Sequence, residues 1–157
     1  MFDIKGKIIF DPINVTKKHH LQSEWKKTAI VKFNCELCSY YSWFIEKRYS
    51  IKLNKPLRGT HITILNEIIN DDDYLYAKEI FNGREISITY DPTYIRTNSK
   101  GHWWIKVYSN DIENIRRSMG LDPNPFYGLH LTIGNATHLN LEQSLYIKKL
   151  IDTNMVS

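Results

Sequence analysis

The chain has 157 residues, 42% apolar and 13% aromatic, with 24% charged and a net charge of +4 at pH 7. That is enough for one packed domain over residues 1–157, or for two small lobes sharing one core. No apolar run approaches the ~20 residues that span a bilayer, and the start Met1-Phe2-Asp3-Ile4-Lys5 lacks the order of a signal peptide, so a cytoplasmic protein with no membrane partner is expected.

Lys7-Ile8-Ile9-Phe10 reads as a short strand ended by Asp11-Pro12, and Thr28 to Asn34 as a second. The densest positive patches, Lys17-Lys18-His19-His20 and Lys26-Lys27, lie between them. They read first as a solvated surface, and as a binding feature they suit a small phosphorylated ligand better than long duplex nucleic acid. Cys35-Glu36-Leu37-Cys38 has no second cysteine pair, so a zinc site would need His19 and His20, and the Gly-Pro pair usual between redox cysteines is absent. Reduced, partly buried thiols are expected, with no metal and no cofactor.

Leu37, Tyr40, Tyr41, Phe44, Ile45 and Tyr49 recur near helical spacing and predict an amphipathic helix over 36–49. Asn54 to Gly59 is a loop that leads into a strand beginning at His61. Asn70-Asp71-Asp72-Asp73 opens a helix through Phe81, closed by Asn82-Gly83. Its carboxylates are explained by the exposed N–H groups and dipole of a helix start. Glu85 to Tyr90 and His102 to Tyr108 read as strands separated by a polar loop, and Asp111 as the cap of a helix to Met119, stopped by Gly120. Asp122-Pro123-Asn124-Pro125 makes a rigid loop before a strand over Tyr127 to Ile133, and a last helix covers Glu142 to Ile151. Strands and helices thus alternate in two related halves, which predicts an α+β fold.

Two segments repeat one pattern: His61-Ile62-Thr63-Ile64 and His130-Leu131-Thr132-Ile133. In a strand, successive side chains point to opposite faces, so His and Thr of each segment share one face and the apolar residues enter a core. Histidine both takes and gives a proton near neutral pH. Two of them flanking one phosphodiester permit concerted acid–base catalysis, each contributing roughly 10²–10⁴-fold. Thr63 and Thr132 would donate hydrogen bonds to the oxygens where charge builds up. A lone strand histidine is more often a structural residue. The repetition is what favours catalysis, and His19, His20, His102 and His138 do not share it.

Paired His-x-Thr motifs of this kind resemble the two-histidine phosphoesterase superfamily. The stretches Arg58 to Ile64 and Asn124 to Gly134 are similar more particularly to the phage anti-CBASS nucleases. The resemblance implies a bilobed fold of two related strand/helix lobes with a central cleft holding His61, Thr63, His130 and Thr132. It also implies metal-independent cleavage of the 3′–5′ linkages of cyclic di- and trinucleotide messengers, by which a phage evades CBASS immunity in the host bacterial cytoplasm. The alternatives are an RNA 2′,3′-cyclic phosphodiesterase and a non-catalytic protein that sequesters nucleotides.

Cyclic oligonucleotides present base faces and a negative backbone, so aromatic platforms beside cations are expected. In His102-Trp103-Trp104-Ile105-Lys106-Val107-Tyr108, alternation assigns Trp103, Ile105 and Val107 to the core and Trp104, Lys106 and Tyr108 to the cleft. Arg58 is a candidate phosphate contact. Tyr127, at odd spacing from His130, points away in an ideal strand and is left out of the site.

Overall fold

The β-branched and aromatic runs form six strands: β1 (Phe2–Phe10), β2 (Ala29–Lys32), β3 (His61–Leu65), β4 (Glu85–Thr97), β5 (His102–Tyr108) and β6 (His130–Asn135). In the computed structural model of the chain, which describes residues 1–12, 27–56, 59–136 and 139–153, four helices accompany them. These are α1 (Leu37–Tyr49), α2 (Asp71–Phe81), α3 (Asn110–Ser118) and α4 (Leu141–Asp152). Among the described residues the chain order is therefore one pattern used twice, β1-β2-α1-β3-α2 and then β4-β5-α3-β6-α4.

All strand pairs are antiparallel, and the sheet closes on itself in the order β1-β2-β3-β6-β5-β4. The fold is α+β, as expected. Each half supplies three neighbouring strands, and the halves meet at two seams, β3 against β6 and β1 against β4.

A closed sheet has an inner and an outer face, and a six-stranded ring is too narrow to admit a helix about 10 Å across. The helices therefore mark the outer face. Tyr49 of α1 stacks on Trp103 of β5 with ring centroids 5.7 Å apart, and Tyr74 of α2 meets Phe10 of β1 edge-on at 5.5 Å. One continuous core fills this layer, joining Ile62, Leu131 and Ile105 of the sheet to Ile112, Ile115 and Ile147 of the helices. Burying a side chain of this size contributes about 1.5–3 kcal/mol. The residues alternating with them turn to the inside of the ring. Among the described residues no helix is long and apolar enough to cross a membrane.

Several boundaries differ from the expected ones, each for a local reason. β1 begins at Phe2 rather than Lys7 because β4 pairs along its whole first half, from Phe2 opposite Tyr90 to Lys7 opposite Glu85. The expected loop after Tyr90 is the second half of β4, which resumes pairing at Ile95 opposite Ile105 after a register shift. In α3 the cap is Ser109, whose Oγ accepts the Ile112 N–H at 3.2 Å, and Asp111 lies inside the first turn. The α1 stripe that reaches the core is Cys38, Tyr41, Ile45 and Tyr49, with Tyr40 left exposed. α2 begins under the Asn70 side chain and ends before Asn82, as expected.

Arg116 of α3 is 1% exposed and braces both histidine strands. Its Nη1 donates to the Ile64 carbonyl of β3 at 2.7 Å, and its Nε to the Asp122 carbonyl, in the loop ahead of β6, at 2.7 Å. The Glu67 carboxylate takes two further N–H groups in a fork. Truncation would leave two carbonyls and a carboxylate without their donor. Arg116→Ala is expected to lower the unfolding free energy by about 3–5 kcal/mol, read as a lower denaturant midpoint at unchanged slope. A loss below about 1 kcal/mol, the ordinary size for a point substitution, would contradict this role.

Candidate active site

β3 and β6 pair antiparallel with Ile62 opposite Leu131. Stepping one residue along each strand sets His61 across from Thr132 and Thr63 across from His130. All four are half-buried, on the face opposite the core residues Ile62 and Leu131. Directly opposed residues have Cβ atoms about 4.5–5.5 Å apart. The two motifs therefore form a crossed square, each histidine beside the other motif's threonine.

Both imidazoles are held in the same way. The Gly59 carbonyl lies 2.9 Å from Nδ1 of His61, and the Gly128 carbonyl 3.0 Å from Nδ1 of His130. A carbonyl can only accept, so Nδ1 carries the proton and the basic lone pair of the neutral ring sits on Nε2. The two glycines have φ of 67° and 72°, which turns their carbonyls back toward the ring two residues ahead. Their own N–H groups donate to proline carbonyls, Gly59 to Pro56 at 3.1 Å and Gly128 to Pro125 at 2.8 Å. Aligned on the histidines, both halves read Pro-x-x-Gly-x-His-x-Thr-Ile-x-Asn, from Pro56 to Asn66 and from Pro125 to Asn135. This longer repeat was legible in the sequence, and comparing only the tetrapeptides leaves it unseen.

The N-terminus of α1 fastens the square from behind. The Thr60 hydroxyl donates to the Cys35 carbonyl at 3.2 Å and accepts the Cys38 N–H at 3.4 Å. The Cys38 thiol donates to the Thr132 carbonyl at 3.1 Å. Cys35 is exposed and Cys38 buried, both as free thiols, and burial pushes the Cys38 thiol up despite the Thr60 hydrogen bond. Among the described residues no three His, Cys, Asp or Glu side chains gather as metal ligands. His19 and His20 lie outside the described residues.

Next to the square, β5 presents its polar face. Trp103, Ile105 and Val107 are buried in the core, while Lys106 pairs with His130 and Trp104 with Thr132. On the other side Lys32 of β2 pairs with His61. Two cavities of about 410 and 430 Å³ share Trp104, Tyr127 and His130, and together make one groove. The first extends to Lys106 and Tyr108, with the Lys106 ammonium 5.3 Å from the Tyr108 ring centroid, and the second reaches Thr132. His61 and Thr63 join this site through the strand register rather than as lining of either cavity.

Tyr127 corrects the sequence expectation. The strand starts at His130, so Tyr127 lies in the Pro125–Gly128 turn, where alternation does not apply, and it lines both cavities while 84% exposed. Arg96 and Asp91 also line the groove, and both fall in the stretch expected to be a loop. Thr93 hydrogen bonds hold the Asp91 carboxyl below its usual range. Arg58 and His138 lie outside the described residues.

Compared with protein families, curated proteins and solved structures, the chain finds no match. Chemically, the square offers two imidazoles able to exchange protons through Nε2 and two hydroxyls beside them, in a groove with cations and aromatic faces.

The glycine turn makes a checkable claim about His130. A Cβ on Gly128 would meet nothing within 4 Å, so Gly128→Ala strains the backbone by about 1–2 kcal/mol without a clash. In ¹⁵N spectra at high pH, His61 and His130 of the native protein should both show the Nδ1–H tautomer. Gly128→Ala should remove that preference from His130 alone. An unchanged His130 tautomer would show that the turn does not orient the ring.

Proposed function

We propose that this chain is a metal-independent phosphodiesterase that opens cyclic di- and trinucleotide messengers at a 3′–5′ linkage. The observation that carries it is the crossed square: two histidines, each fixed through Nδ1 by a glycine carbonyl, each beside a threonine of the other half. One neutral imidazole takes the proton of the ribose 2′-hydroxyl through Nε2, and the 2′-oxygen attacks phosphorus. The other, protonated, donates to the departing 5′-oxygen. The ring opens to a 2′,3′-cyclic phosphate at one end and a 5′-hydroxyl at the other, with the proton inventory of the pair restored in exchanged positions. Thr63 and Thr132 hydrogen-bond the non-bridging oxygens as charge develops on them. The near-symmetry of the square leaves the division of acid and base open.

The lining of the groove supports this substrate class. Trp104, Tyr108 and Tyr127 offer faces on which a base can stack, and Lys106, in register with His130, offers a charge to the backbone. A cyclic messenger of this kind activates antiphage defence in bacteria. Its cleavage in the host cytoplasm by a phage-encoded enzyme would silence CBASS, consistent with the resemblance of the two His-x-Thr stretches.

Purified protein incubated in EDTA with a panel of cyclic di- and trinucleotides should yield linear products. Intact rings alongside hydrolysed terminal 2′,3′-cyclic phosphates would indicate an RNA-end enzyme instead, and ligand bound but recovered unchanged would indicate sequestration. His61→Ala and His130→Ala should each abolish turnover while the fold and much of the ligand affinity persist. Thr63→Ala or Thr132→Ala should slow turnover by up to ~10²–10³-fold. Full activity in either histidine variant would refute the mechanism.

A further inference from the structure

We propose that Arg96 holds a second phosphodiester of the same ligand, one that does not react, so that the preferred substrate carries at least two phosphodiesters. This deepens the phosphodiesterase reading and rests on it. Arg96 of β4 is in register with Trp104 of β5, which is in register with Thr132 of β6. Two strand spacings of about 4.8 Å therefore separate the guanidinium's strand from the reacting square. Held over Tyr94, the guanidinium lines the same cavity as His130, where the next phosphate around a bound ring would lie.

Arg96 makes no salt bridge among the described residues. Its guanidinium lies 5.0 Å from the Tyr94 ring centroid, and its Nη1 is buried with no hydrogen-bond partner among the described residues. Buried donors are nearly always paired, and an orphan of this kind calls for an acceptor that the described residues do not supply. The obvious internal candidate is Asp91, in the same cavity. Its Oδ1 is committed to Thr93, accepting from the backbone N–H at 2.9 Å and from the hydroxyl at 2.6 Å.

Lys106, the other cation of the cavity, rests on Tyr108 with no carboxylate partner among the described residues. The lining of this cavity thus holds two cations and one carboxylate, whose Oδ1 is already hydrogen-bonded to Thr93. The planar fork of arginine matches two oxygens of a phosphate. A mononucleoside 2′,3′-cyclic phosphate brings one phosphate and cannot fill both the square and this subsite, whereas a cyclic di- or trinucleotide brings two or three.

Binding separates this subsite from the chemistry. The probe is a 2′-deoxy cyclic dinucleotide, which has two 3′–5′ phosphodiesters and no 2′-hydroxyl to attack. It is titrated calorimetrically into the native protein, Arg96→Gln and Arg96→Lys, with a mononucleotide carrying one phosphate as control. Arg96→Gln keeps a planar head against Tyr94, and a thermal melt monitors its fold. It should weaken dinucleotide binding about 10- to 100-fold, the range for a charge-assisted hydrogen bond. Mononucleotide binding should change less than about 2-fold, well under one such bond. The slope of log Kd against log salt should fall by about one, as for a lost phosphate contact, and Arg96→Lys should recover part of the affinity. Equal dinucleotide affinity in Arg96→Gln and native protein, or equal losses for both probes, would overturn the subsite while leaving the phosphodiesterase reading standing. Failure of the native protein to bind the dinucleotide at all would overturn both.

Discussion

The seam between β3 and β6 is the constraint on which the site depends. Because Ile62 sits opposite Leu131, the neighbouring positions place each histidine beside the threonine of the other strand. A slip of either strand by one residue would send its own histidine and threonine into the core and bring its apolar residues to the groove. The register is held from outside by the burial of Ile62, Ile64, Leu131 and Ile133, and from the ends by Arg116 and by the start of α1. The geometry of the square is a by-product of packing on the opposite face of the same two strands.

The second layer of order comes from the turns ahead of the strands. Nδ1 of each ring is occupied by a glycine carbonyl, and that carbonyl is aimed by a positive φ that only glycine adopts at little cost. Two rings with the same tautomer and the same exposed nitrogen can trade roles, one as base and one as acid. The halves differ in what surrounds the square. Beyond His130 lie Trp104, Lys106, Tyr127 and Arg96, whereas beyond Thr63 lies the buried apolar Ile30. The histidine pair is nearly symmetric, and the groove beside it is not.

Much of this was legible in the sequence because it depends on nearest neighbours along the chain. Strand alternation separates Trp103 from Trp104 and His61 from Ile62, and the Asn70 cap and Asn82 stop bound α2 as expected. What escaped depends on partners distant in the chain. The polar run after Tyr90 becomes strand only because β5 pairs with it, and so Arg96 and Asp91 were not seen as site residues. Tyr127 was excluded by an alternation that its turn does not obey. Ser109 and Asp111 are both plausible caps by residue type, and the backbone direction at the end of β5 decides for Ser109. The closing of the sheet through β1 and β4 leaves no local signature at all.

If two Nε2 atoms act as acid and base on attack by a ribose 2′-hydroxyl, cleavage requires that hydroxyl. The most direct measurement is ³¹P NMR of a cyclic dinucleotide incubated with the protein in EDTA, with its 2′-deoxy counterpart in parallel. A 2′,3′-cyclic phosphate resonance and a free 5′-hydroxyl end are expected from the ribose ring, and an unchanged spectrum from the deoxyribose ring. Cleavage of the deoxyribose ring, or a product ending in a 5′-phosphate, would contradict this mechanism.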